Sequence, residues 1–78
     1  MEKERKLVGR IHRLEGQVRA LERVLAADDY IQTITQFEAV IAAAKASLAE
    51  YVEIALTDSA VAIETKQKII ARLVKTLK

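Results

Sequence analysis

The chain has 78 residues, no cysteine, no proline, two glycines and a formal net charge of +2. That length holds one domain at most, and a lone domain this small usually needs a staple or an oligomer to be stable. Without cysteine there is no disulfide staple, no thiolate metal ligand, no nucleophilic thiol and no thiol redox sensor, which leaves oligomerisation as the staple.

Residues 1–10 are charged throughout and no apolar segment follows in the manner of a signal peptide. No apolar run approaches the length of a membrane span, so a soluble, cytoplasmic protein without a membrane partner is expected. The small net charge hides a pattern. Residues 1–25 hold seven Lys/Arg against four Asp/Glu, residues 26–58 hold Lys45 against six acids, and residues 59–78 hold five basic residues against Glu64. Basic ends flanking an acidic middle suit a polyanion, although a solvated face is the commoner explanation of any single run.

The composition is that of a helix former. Asp28 and Asp29 supply capping chemistry for a new helix, and Thr57, Asp58 and Ser59 do so again. The expected architecture is all-α, one domain over residues 1–78, with helices at about 3–27, 29–56 and 60–77. In the first, Leu7, Ile11, Leu14, Val18, Leu21 and Leu25 recur at 4-3-4-3-4 spacing. In the second, Tyr30, Ile34, Phe37, Ile41, Ala44, Leu48, Tyr51 and Ala55 do the same. Both are heptad seams of helices packed at shallow angles. Ile31, Val40, Ala43, Val52 and Ile54 widen the second seam, so that helix is expected to pack on more than one side. The third gathers Ile63, Ile70, Leu73, Val74 and Leu77 on one face and is too short to persist alone.

The two long helices, each about 36–42 Å at 1.5 Å per residue, are expected to form an antiparallel hairpin. A hairpin alone exposes its second apolar face, so two hairpins should pair into a four-helix bundle with the third helix capping it or docking on a neighbour. Tyr30 and Tyr51, on the seam, are expected as core side chains with their hydroxyls at an edge. Gly16 lies mid-helix, where glycine costs about 1 kcal/mol relative to alanine. Either another chain passes close to it or it is a tolerated surface glycine.

Few residues offer chemistry. His12 is the one histidine, and a metal site needs several ligands; its side chain is expected to lie on the surface beside the seam residue Ile11. No metal and no cofactor is expected. Arg10 and Arg13 share a face, with Arg19 within reach of it. They suit phosphate, or ion pairs with Glu15, Glu22 or the acidic second helix. There is no Ser-His-Asp set, no Gly-rich phosphate loop and no carboxylate pair in a pKa-raising setting. The one enzyme class of this size and type is the small chorismate mutase, in which Arg10, Arg13, Lys45 and Gln36 would bind a dianion; nothing else in the sequence calls for it, and no enzyme activity is expected.

The stretch RIHRLEGQVRALERVL (Arg10–Leu25) resembles the first-helix signature of the CsoR/RcnR/FrmR repressors: an arginine, an aliphatic residue, another basic residue, then aliphatic-x-Gly-Gln and a later arginine. TQFEAVIAAA (Thr35–Ala44) resembles that family's second helix, and the three helix lengths fit. The resemblance implies a subunit that dimerises through its first two helices, dimers that pair into a flat tetramer, and operator DNA bound without a helix-turn-helix. Basic residues on the tetramer faces would carry the contact: Arg10, Arg13 and Arg19, joined by Lys6, Lys45 and His12, with Lys3 and Arg5 in the same basic start. Family inducers include copper(I), nickel or cobalt, sulfur species and formaldehyde.

The family's sensing pattern is a cysteine at the start of the second helix, a His or Cys about 25 residues later, and another about four residues beyond. Anchored on Gln36 and Ala39-Val40, those positions fall at Tyr30, Ala55 and Ser59; a one-residue shift puts Ile31 at the first. None is a ligand for copper(I), nickel or cobalt, and the cysteine that sulfur and formaldehyde sensing uses is gone. Tyr30 would fill the space of the ligand. A DNA-binding repressor without the usual sensing site is therefore expected. The other reading is a helical oligomerisation module without a DNA role, or one that joins a sensing paralogue in a mixed oligomer.

Overall fold

The computed structural model describes residues 2–77. Among them are three helices and no strand: α1 (Glu2–Ala26), α2 (Tyr30–Thr57) and α3 (Ile63–Leu77). The molecule measures 49 × 30 × 11 Å, and the last dimension is about the diameter of one helix with its side chains. It is a single layer of helices. A single layer has no inside, and among the described residues no hydrophobic side chain is buried; the one buried residue is Ser47, whose hydroxyl donates to the Ala43 carbonyl at 3.0 Å.

The α1–α2 turn is built by two aspartates. Asp28 takes φ 58°, the left-handed conformation that ends many helices and that aspartate tolerates better than most residues. Asp29 then caps α2, its carboxylate accepting from the Gln32 amide at 3.1 Å, a contact of the kind worth about 1 kcal/mol. Asp58 behaves differently. It is the C-cap of α2, its Oδ1 accepts from the Ala60 amide at 2.9 Å and its carbonyl from the Val61 amide at 3.1 Å, so it ends one helix and closes a turn instead of starting the next. α3 consequently begins at Ile63, three residues after the expected start at 60. The side chain of Leu77 lies outside the described ones.

The two long helices meet along a seam other than the most apolar one. From α1 the half-buried positions on the side facing α2 are Leu7, Leu14, Gln17, Leu21 and Val24, with Gly9 and Ala20 half-buried elsewhere on the helix; from α2 they include Thr33, Gln36, Val40, Ala43, Ile54 and, with the buried Ser47, Glu50. These α2 positions recur at 3-4-3-4-3-4 spacing, a heptad seam of small and polar residues. The stripe expected to pack there faces outward: Tyr30, Ile34, Phe37, Ile41, Leu48 and Tyr51 are all exposed, as are Ile11, Val18 and Leu25 of α1. Tyr30, at 80% exposed, and Tyr51, at 60%, are not core side chains of this chain. α3 lies over the C-terminal part of the stripe, where Ile69 and Leu73 line a groove with Leu48, Tyr51 and Val52. The part from Tyr30 to Ile41 is open.

Candidate nucleic-acid interface

The basic residues of α1 divide by the side of the helix they occupy. Arg10 falls on the α2-facing side between Leu7 and Leu14, and its Nε forms an ion pair with Glu50 Oε2. That oxygen is sheltered from solvent with no hydrogen-bond donor of its own in place; the neighbouring guanidinium compensates its charge. Lys6 shares a depression with Lys3, Glu50 and Glu53, so this part of the basic start lies over the acidic end of α2. Arg13, His12 and Arg19 are exposed. Among the described residues the only ion pair is Arg10 with Glu50. Arg19 lines a shallow depression with Glu15 and Glu22 without closing on either. Lys45 is exposed and lies two residues from Ser47, which puts it on the side of α2 turned away from α1. One chain therefore does not bring Lys45 to the arginines.

The glutamine of the Gly-Gln pair is a packing residue. Gln17 is half-buried, and Gln36 donates to its carbonyl at 3.0 Å and its Oε1 at 2.7 Å. Gly16 is exposed, and nothing lies within 4 Å of where a Cβ would stand at Gly16 or at Gly9. No neighbour within the chain explains either glycine. Of the ion pairs that the sequence allows, the one with the acidic second helix forms, through Arg10 and Glu50; the sequence did not single out Glu50 among the acids of that helix.

The three positions that the family resemblance aligns with sensing ligands stand apart. Tyr30 opens α2, Ala55 is half-buried near its end, and Ser59 is in the following turn. Tyr30 and Ala55 are separated by about 37 Å of helix at 1.5 Å per residue. They can approach each other only across two antiparallel chains.

A comparison with protein families matches residues 3–78 to the metal-sensitive transcriptional repressors. The chain belongs to that family. It is thus a repressor-family protein and not an enzyme, which sets aside the chorismate mutase-like arrangement. Curated proteins and solved structures gave no match. The donor set of this family member does not suit the metal that its family's description implies: it has no cysteine and a single histidine, and among the described residues no group of three or more His, Asp or Glu is placed to hold an ion. Nor, among those residues, is any helix long and apolar enough to cross a membrane.

Proposed function

We propose that this repressor binds operator DNA as a homo-oligomer, a dimer of dimers, whose metal- and thiol-sensing site has been lost. The observation that carries the oligomer is the absence of any buried hydrophobic side chain among the described residues of the single chain. The open stripe of Tyr30, Ile34, Phe37 and Ile41, continued by Ile11, Val18 and Leu25, is the surface on which a second hairpin would complete a four-helix bundle. Burial of each such side chain contributes about 1.5–3 kcal/mol, more than any surface polar contact in the chain.

Four chains at +2 carry about +8. Arg13, Arg19 and His12, exposed and free of carboxylate partners among the described residues, supply phosphate contacts. Arg10, Lys6 and Lys45 follow as contacts that depend on release from Glu50 and Glu53 or on a neighbouring chain. With no recognition helix to insert in a groove, such a surface reads charge and shape more than base edges.

A gel shift on the DNA upstream of its own gene, repeated over a salt series, tests this reading. Log affinity should fall linearly with log salt, and Arg13→Ala should flatten the slope by about 0.9 for each phosphate that Arg13 neutralises while the fold survives. A slope that Arg13→Ala leaves unchanged counts against the assignment, and a chain that stays monomeric removes its basis.

A further inference from the structure

Six positions of α1, Arg5, Gly9, His12, Gly16, Arg19 and Arg23, follow one another at 4-3-4-3-4 spacing. They line one side of the helix. That side is turned away from α2, which meets the side bearing Leu14, Gln17, Leu21 and Val24. Arg5, His12, Arg19 and Arg23 are exposed, and none of them is in an ion pair among the described residues. The row therefore sets three exposed arginines and His12 along most of a 25-residue helix, with Arg19 beside Glu15 and Glu22 but in no ion pair with either.

Both glycines of the chain fall in this row, and nothing inside the chain requires them. Neither has a positive φ, so the backbone does not need glycine. Neither has an atom within 4 Å of a Cβ position, so space does not need it. Alanine at each site would make a better helix. Two missing side chains seven residues apart, about 10.5 Å along the axis, leave bare helix backbone flanked by guanidinium groups. A ligand that gains from this arrangement is anionic, extended over at least that distance, and able to lie close against the helix. A phosphodiester strand has all three properties.

We propose that this outer row seats a DNA backbone: Arg5, His12, Arg19 and Arg23 contact phosphates, and Gly9 and Gly16 let the strand lie directly on α1. The proposal rests on the DNA-binding reading above. It adds Arg5 and Arg23 to the His12 and Arg19 contacts of that reading and gives the glycines a binding role.

The test uses the full chain in three forms: unaltered, Gly9→Ala/Gly16→Ala, and Gly9→Gln/Gly16→Gln. Each is titrated against a labelled mixed-sequence duplex at low salt and against the DNA upstream of its own gene, with thermal melts and sedimentation on the same samples. The expected result is opposite signs: a higher melting temperature in the alanine form, unchanged association state in both, and duplex affinity that falls several-fold with alanine and about tenfold or more with glutamine. In parallel, Arg5→Gln/Arg19→Gln should lower the log-affinity versus log-salt slope by about 0.9 for each phosphate the two arginines neutralise. Glycine variants that assemble normally and bind with the affinity of the unaltered chain overturn the proposal and leave the DNA reading standing. An altered association state also overturns it, because the glycines would then serve a contact between subunits. An unaltered chain that binds neither duplex refutes the DNA reading itself, and this proposal with it.

Discussion

Gln36 of α2 reaches across the hairpin and donates through one nitrogen to both the carbonyl and the side-chain oxygen of Gln17, at 3.0 and 2.7 Å. These two are the only side-chain hydrogen bonds between α1 and α2 among the described residues. Small residues such as Ala39 and Ala43 beside it allow the helices to slide at little cost in packing, and a bidentate polar contact specifies one register. Removing it with Gln36→Ala leaves the Gln17 amide oxygen half-buried without its donor. The expected destabilisation is about 1–3 kcal/mol, read from denaturant unfolding at fixed protein concentration because oligomerisation makes stability concentration-dependent. A neutral result would mean that the outward stripe alone fixes the register.

The ion pair of Arg10 with Glu50 has a different consequence. With the Arg10 side chain 46% exposed and that of Glu50 21%, the pair is partly solvated, and pairs of that kind contribute about 0–1 kcal/mol. Glu50→Gln should therefore move the unfolding midpoint little. It should, however, free Arg10 and remove one negative charge from the acidic end of α2, so duplex affinity at low salt should rise a few-fold. Arg10→Ala should flatten the salt slope less than Arg13→Ala does, since Arg13 has no carboxylate to leave. Equal effects of the two arginine variants would show that Glu50 does not hold Arg10 back.

The three helices were legible in the sequence because their signals are local: a 4-3 apolar spacing, an absence of proline, and aspartates at the first turn. Which face meets which was not. Hydrophobic periodicity in α2 selects Tyr30, Ile34, Phe37 and Ile41, but within the chain α2 turns Gln36, Ala43, Ser47 and Glu50 toward α1. Those residues are small or polar and carry no hydrophobic signal. They pack here because cross-helix partners, Gln17 and Arg10, satisfy the polar ones. The same limit explains the candidate site. Sequence spacing grouped Arg10 with Arg13, whereas the position of α2 separates them, one compensated and one free. The late start of α3 has a similar cause, since Asp58 can end one helix or start the next and only the chain path decides.

The outward stripe makes a strong prediction about folding. Because the described residues of a single chain bury no hydrophobic side chain, association and folding should be one transition. Ile34→Glu/Ile41→Glu places two charges on the open stripe, where Ile34 is 56% and Ile41 51% exposed. In a free hairpin those exposed sites would tolerate the change within about 0.5 kcal/mol. In an assembled bundle, burying an unpaired carboxylate is far more costly. The double variant should sediment as a monomer and lose most of its helical circular dichroism at micromolar concentration. A folded, helical monomer would show that α1 and α2 are stable without a second copy.

Metal binding provides the last check, and here donor chemistry decides. Copper(I) takes thiolate or imidazole, and nickel and cobalt take imidazole with nitrogen or oxygen donors. The chain offers no thiol and one imidazole, and the proposed loss of the sensing site follows from that. A two-fold pairing of chains brings at most two copies of His12 to any one axis, fewer than the four donors that a closed site requires. Titration with copper(I), nickel or zinc should therefore give no stoichiometric uptake at sub-micromolar affinity, and duplex affinity should be the same with and without a chelator. Tight uptake by the unaltered chain, abolished in His12→Ala, would instead reveal an inter-subunit site completed by carboxylates and would restore metal sensing to this member of the family.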